Sequence, residues 1–296
     1  MPAMHSTEPL PEWRYALARL IRPGRWPQPF RRIIVHEILP RRRVRDFPFE
    51  VNFFGFRFPG NARNMLDYEV LLRGAHELGL LLFIKRAAAL MDGSHGVFVD
   101  VGANIGHHSL FMSPYAAVVI AFEPLGELAD RFERLMRMNE ISNTEVRRVA
   151  LSDRQGTAGM IPPSAHNLGT GSLDLSQAGT EGPRIDVQLR CGDDELQGVA
   201  RPIFLIKIDV EGHEVATLAG LRETLARHRP IVVLETLNTP PRDYSLVQSA
   251  FPRGYRWLQV SNLHKPRLRS APWDGASQCS EVIAVPEGHP ALDLLR

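Results

Sequence analysis

Five predominantly apolar runs constrain this chain more than any other feature. They cover residues 96–101, 117–122, 146–151, 203–209 and 231–236, and helix-like stretches follow them. Residues 105–112 open one helix. Leu128, Phe132, Leu135, Met136 and Asn139 share one side of a second, and Val215, Leu218, Leu221 and Leu225 share one side of a third. A strand that is apolar on both faces must be covered on both faces. Repeated strand–helix units of this kind predict an α/β fold with a parallel sheet between two helical layers. Residues 255–260 and 281–285 read as closing edge strands.

The remaining chain is less regular. In residues 49–58, Phe49, Val51 and Phe53 share one face and Phe54, Phe56 and Phe58 another, with a change of phase near Gly55, so they read as two short strands or one bulged strand. Residues 64–90 are helical in character, with breaks at Gly74 and Gly79. Residues 152–200, rich in Gly, Ser, Thr and Pro, are expected to supply short strands and a flexible cover near a site. The expected organisation is a basic extension over residues 1–60 with short strands, a helical lead-in over 61–94, and the main domain over 95–290.

Charge and cysteine content exclude several classes. The 296 residues carry 35 Lys and Arg against 33 Asp and Glu, too even a balance for a dedicated nucleic-acid binder. Two cysteines, Cys191 and Cys279, make neither a disulfide scaffold nor a four-cysteine zinc site, and neither has a basic neighbour that would activate it. The apolar stretch 78–84 stops at Lys85 and Arg86, short of a bilayer span, and the N-terminus lacks a secretory pattern, so a cytoplasmic protein is expected. Ten Arg within residues 1–50 stand out. Trp13, Leu17, Leu20 and Ile21 could form an amphipathic helix on an anionic membrane, but a helix packed on the domain with solvated arginines is the expected reading, as is a solvated loop for Arg41, Arg42, Arg43 and Arg45.

Ligands of open parallel sheets bind beyond the carboxyl ends of the strands. Acidic groups gather there: Asp100, Glu123, Asp153, Asp209, Glu211 and Glu235. The first turn reads Asp100-Val-Gly-Ala-Asn-Ile-Gly106. Gly102 permits the turn and Gly106 lets a helix approach. Asn104 stands where a dinucleotide fingerprint has the glycine that touches a pyrophosphate. Glu123 lies 21 residues after Gly102, the usual place for a carboxylate that receives ribose hydroxyls. A nucleoside without a diphosphate fits this pattern.

Val99-Asp-Val-Gly-Ala-Asn-Ile-Gly106, Phe122-Glu-Pro124, Ala150-Leu-Ser-Asp153 and Ile206-Lys-Ile-Asp-Val-Glu-Gly-His-Glu214 together resemble the FkbM family of S-adenosylmethionine-dependent methyltransferases. The resemblance covers roughly residues 95–240. It implies a seven-stranded, Rossmann-like class I methyltransferase sheet with helices on both faces. It implies S-adenosylmethionine held by the turn that includes Asp100, Gly102, Ala103, Asn104 and Gly106, with Glu123 on the ribose and Ser152 and Asp153 bordering the adenine. It also implies O-methylation of a sugar, polyketide or similar small molecule. Of His107 and His108, which the motif does not demand, one could line the pocket, but satisfied surface histidines are the expected reading.

The segment from Asp209 to His213 is the expected reacting end. Asp209 closes a strand at the mouth of the site, and Glu211 or His213 could move a proton. Asp209, Glu211 and Glu235 could alternatively gather a divalent cation, whereas Glu211 and Glu214 could simply favour a helix start. Lys207, in an apolar strand, is expected to be paired rather than catalytic. His166, Asn167 and Ser172 are candidate acceptor contacts from loop position alone. Two other functions remain compatible with the fold: a nicotinamide-dependent oxidoreductase, and a non-catalytic nucleoside-binding or membrane-surface module.

Overall fold

The computed structural model describes residues 13–14, 46–161, 184–236, 245–275 and 279–295. The expectations for Leu17 to Arg45 and for His166, Asn167 and Ser172 lie outside these residues. Trp13 is exposed, with the Arg14 guanidinium 5.3 Å from its ring centroid. The chain forms two compact units that divide at Leu78.

In the first unit, β1 (Pro48–Phe53) and β2 (Phe56–Asn61) form an antiparallel hairpin in which Phe53 faces Phe56. The phase change read in the sequence is therefore a turn. Phe54 and Gly55 both adopt positive φ there, and the Gly55 N–H donates to Asn52 Oδ1 at 3.0 Å. Val51, Phe53 and Phe58 are buried. Helix α1 (Met65–Arg73) starts at Asn64, whose side chain accepts from the Asp67 N–H, and stops at Gly74 in the left-handed region.

The second unit opens with helix α2 (Leu78–Leu90) and is built on a sheet of eight strands. In chain order these are β3 (Val97–Val101), β4 (Val118–Phe122), β5 (Thr144–Arg147), β9 (Ile203–Ile208), β10 (Ile231–Glu235), β11 (Tyr255–Ser261), β12 (Arg269–Pro272) and β13 (Glu281–Pro286). Across the sheet they run β12-β11-β13-β10-β9-β3-β4-β5. Strands β5, β4, β3, β9 and β10 are mutually parallel, and β13 is antiparallel to both β10 and β11. The sheet exceeds the expected seven strands by one, the four-residue edge strand β12. Every residue of β3 and β9 is buried, as two-sided cover requires. Helices α3 (His107–Met112) and α4 (Gly126–Met138) follow the first two strands, and α4 buries Leu128, Ala129, Phe132, Leu135 and Met136.

The third apolar run departs from expectation. It splits between β5 in the main sheet and β6 (Ala150–Ser152), which pairs with β8 (Ile185–Cys191). Strand β7 (Gly156–Met160) completes this three-stranded sheet. Arg147 and Arg148 interrupt the run. Arg148 leaves the apolar layer to pair with Asp130 and Glu133 of α4. Helix α5 (Gly192–Leu196) follows β8, and the helix expected after β9 is broken into α6 (Glu214–Ala219) and α7 (Arg222–His228). Among the described residues no helix is long and apolar enough to cross a membrane.

Candidate active site

Two groups of residues converge at the carboxyl edge of the sheet. The first stands at the ends of β3 and β4. The N–H groups of Gly102 and Ala103 both donate to the Phe122 carbonyl, which folds the turn over the end of β4. Gly102 has φ +78°, and a Cβ there would collide with the carbonyl of Asp209. Gly106 has φ +82°, and a Cβ there would strike the ring of Phe132 on α4. The two glycines thus serve close packing, Gly102 against the next strand end and Gly106 against a helix.

Asn104 takes a left-handed conformation, φ +53°, which aims its N–H at Glu123 Oε2 at 2.9 Å. The Leu125 N–H reaches Glu123 Oε1, also at 2.9 Å. Glu123 is 4% exposed, and burial pushes its carboxyl up to about 7 against these two bonds. Asp100 is fully buried. Its Oδ2 accepts from Ser109 Oγ at 2.6 Å, while Oδ1 is buried with no hydrogen-bond partner among the described residues. Burial raises its pKa, with the Lys207 charge opposing. Ser109 carried no sequence signal, because one helical serine has no spacing to mark it.

The histidines after this turn are not at the surface. His107 and His108 are both 4% exposed, and their ring centroids lie 3.9 Å apart. They occupy the first turn of α3, a short helix buried along its whole length, so both side chains fall inside.

The second group stands at the ends of β9 and β10. Lys207, 4% exposed, donates from Nζ to Asp209 Oδ2 at 2.7 Å. Burial would raise the Asp209 carboxyl. The Lys207 charge and a hydrogen bond from Glu235 outweigh that and hold it well below the usual carboxylate range. Glu235 is driven strongly upward by burial and by Asp209, so it keeps the proton of this pair. Glu211 lies in the left-handed region, φ +47°, and burial followed by the Asp209 and Glu214 charges pushes it up to about 8. One oxygen from each of Asp209, Glu211 and Glu235 falls within 4.8 Å of the others, so the three could surround a cation. A cation there would compete with the Lys207 ammonium and with the proton on Glu235.

The remaining sequence candidates contact one another beside β6 and the turn ahead of α6. His213 Nε2 lies 3.0 Å from Ser152 Oγ, and Ser152 Oγ donates to Asp153 Oδ1 at 3.2 Å. Ser152 is fully buried, so it meets His213 rather than solvent. Glu214 Oε1 accepts from the Gly212 N–H at 2.7 Å, tying the turn ahead of α6. Glu281 was missed in the sequence. It is 3% exposed and lies directly across from Glu235 in the register of β13 and β10. Its strand was read as a plain edge, and an edge strand gives no reason to expect a buried acid. Cys191 and Cys279 are both free thiols, and burial raises Cys279.

The profile of the Methyltransferase FkbM domain matches residues 100–260 of this chain, more than half its length and nearly the whole of the strand edge just described. The chain belongs to the FkbM methyltransferase family. Hexuronic acid methyltransferase AglP of Haloferax volcanii is 31% identical over 157 residues, 52% of this chain and 61% of that protein. Methyltransferase sdnD of Sordaria araneosa is 30% identical over 48% of this chain and 67% of its own length. The chain thus spans about three fifths of one curated relative and two thirds of the other. Among solved structures, an FkbM methyltransferase from Methylobacillus flagellatus KT is 17% identical with a TM-score of 0.41, over 64% of this chain and 44% of that one. A SAM-dependent methyltransferase from Agrobacterium tumefaciens is 10% identical with a TM-score of 0.46, over 83% and 72%.

Proposed function

We propose that this protein transfers a methyl group from S-adenosylmethionine to a hydroxyl of a sugar or a comparable small metabolite. Family membership supports the methyl transfer. The observation that carries the donor assignment is the clamp on Glu123. Each carboxylate oxygen takes one backbone N–H, from Asn104 and Leu125, and a carboxylate oxygen can accept a second donor. A ribose diol supplies two hydroxyl donors. The buried Oδ1 of Asp100, beside the same turn, suits the ammonium of the methionine end. The turn's own sequence, Asp100-Val-Gly-Ala-Asn-Ile-Gly106, carries neither a basic side chain nor a run of glycines to receive a diphosphate. The hexuronic acid named for the Haloferax relative supports a sugar acceptor.

When bound, S-adenosylmethionine supplies an already activated methyl group. The protein's part is to hold the acceptor oxygen in line, exclude water and take a proton; alignment alone supplies up to ~7–11 kcal/mol in favourable cases. Asp209 is too acidic, beside Lys207, to draw a proton from a hydroxyl near neutral pH. It contributes a fixed negative charge at the strand end, the sign that suits a cationic donor. Glu211, raised to about 8, is far better matched to accept the hydroxyl proton. His213, held on Ser152, serves to fix the turn that carries Glu211.

The test is mass spectrometry of small metabolites from cells with and without the protein, with methyl-labelled S-adenosylmethionine as tracer. The expected result is an acid-stable product heavier by one methylene and carrying the label on oxygen. Label that appears only on nucleic acid, or none in any pool while the protein binds the donor, contradicts the acceptor class.

A further inference from the structure

The turn that joins β11 to β12 lies on the same edge of the sheet as the acidic group. Strands β10 and β11 are both antiparallel to β13, so they run in one direction and end on one side. Glu281 fixes the alignment, lying across from Glu235 on one flank and from Val260 on the other. Strand β11 ends at Ser261, one residue further, and Arg269 returns opposite Ser261 at the start of β12. Two strand spacings separate β11 from β10, about 10 Å. The turn therefore flanks the acidic group on the side away from the nucleoside turn.

This turn is basic and concave. Asn262, Lys265, Pro266, Arg267, Leu268 and Arg269 line a cavity of about 600 Å³. No carboxylate of the described residues pairs with Lys265, Arg267 or Arg269. Arg148, by contrast, is neutralised by Asp130 and Glu133. The turn is also braced. The Lys265 N–H donates to the Asn262 carbonyl at 2.8 Å, and the Gly79 N–H of α2 donates to the Leu263 carbonyl at 2.6 Å. Three uncompensated cations on a held turn attract an anion, and Pro266 and Leu268 offer an apolar wall to the C–H face of a sugar ring.

We infer that this turn is an anchoring subsite for an anionic group, a carboxylate or a phosphate ester, borne by the glycan acceptor at a sugar remote from the methylated hydroxyl. The inference rests on the proposed sugar O-methylation and names its substrate class. Binding energy gained at a distance then serves to orient the reacting hydroxyl. Three cations on one tight turn suit a single anionic group; a nucleic-acid backbone calls for a longer basic stripe.

The experiment titrates the full-length protein, saturated with S-adenosylhomocysteine, with tetragalacturonate, neutral galactotetraose, glucose 1-phosphate and a short single-stranded RNA at fixed low salt. The charged sugar is expected to bind about tenfold or more tightly than the neutral one, with affinity falling as salt rises. The K265Q/R267Q/R269Q variant is expected to lose that preference while its melting temperature and S-adenosylhomocysteine affinity stay at wild-type values. Preference for glucose 1-phosphate over tetragalacturonate, lost in the same variant, assigns the anion as a phosphate ester. Equal or no binding of charged and neutral sugars, a preference that survives in the variant, or tighter binding of RNA overturns the inference. Failure of wild-type protein to bind S-adenosylhomocysteine would instead break the methyltransferase reading.

Discussion

The two ends of the strand edge hold the same side chains and put them to different uses. At β3 and β4, Glu123 and Asp100 are each engaged by neutral donors, two backbone N–H groups and a serine hydroxyl. At β9 and β10, Asp209, Glu211 and Glu235 face one another, with Lys207 as the nearby cation. Neutral donors leave lone pairs available and fix geometry, which suits holding a ligand. Burial, then repulsion from Asp209, raises Glu211 and Glu235, while the Lys207 charge overcomes burial to hold Asp209 far down, a spread of acidities that suits moving a proton. Residue type alone does not assign the role; the partners do.

The largest test of this contrast removes the contact that joins the two ends. In Gly102→Ala the added Cβ meets the Asp209 carbonyl in a left-handed backbone. A loss on the order of 4 kcal/mol or more is expected, read as an early denaturation midpoint. Next, Lys207→Met leaves the Asp209 charge without its partner, at the lower end of the ~3–5 kcal/mol typical of broken buried pairs because Asp209 is 30% exposed. Donor affinity should survive in that variant while turnover falls, and equal losses in both would erase the division between the ends.

Smaller effects sharpen it. Glu123→Ala should weaken S-adenosylmethionine binding by ~1–3 kcal/mol, measured by calorimetry. Glu123 holds its proton up to about 7 when folded, against about 4.5 in an unfolded chain. Its contribution to the stability of the unliganded protein is therefore present at low pH and lost as pH rises through about 7. Donor affinity should move the opposite way and tighten over the same range. Glu211 gives the finest readout. Turnover should rise with pH with a midpoint near 8 in the wild type, and Glu211→Gln should flatten that limb.

Much of the first end was legible from sequence, because its parts are local or fixed by strand spacing. The Asp100–Gly106 turn and Glu123 each follow an apolar run by a fixed offset. The second end was legible as a list of residues but not as an arrangement. Whether Asp209 or Glu211 is the better base depends on which of them Lys207 reaches, and both lie within four residues of it. His107 and His108 were misplaced because two polar residues at a helix start look exposed, whereas α3 is buried on every side. Glu281 was overlooked on an apolar edge strand, and the third run was read as one strand because the two arginines that divide it sit inside a hydrophobic stretch.

Isothermal calorimetry on the purified chain with S-adenosylmethionine and, separately, with NAD goes straight to the clamp at Glu123. Saturable one-to-one binding of S-adenosylmethionine, absent for NAD and weakened in Glu123→Ala, is the predicted result. Binding of NAD with no response to S-adenosylmethionine would contradict it.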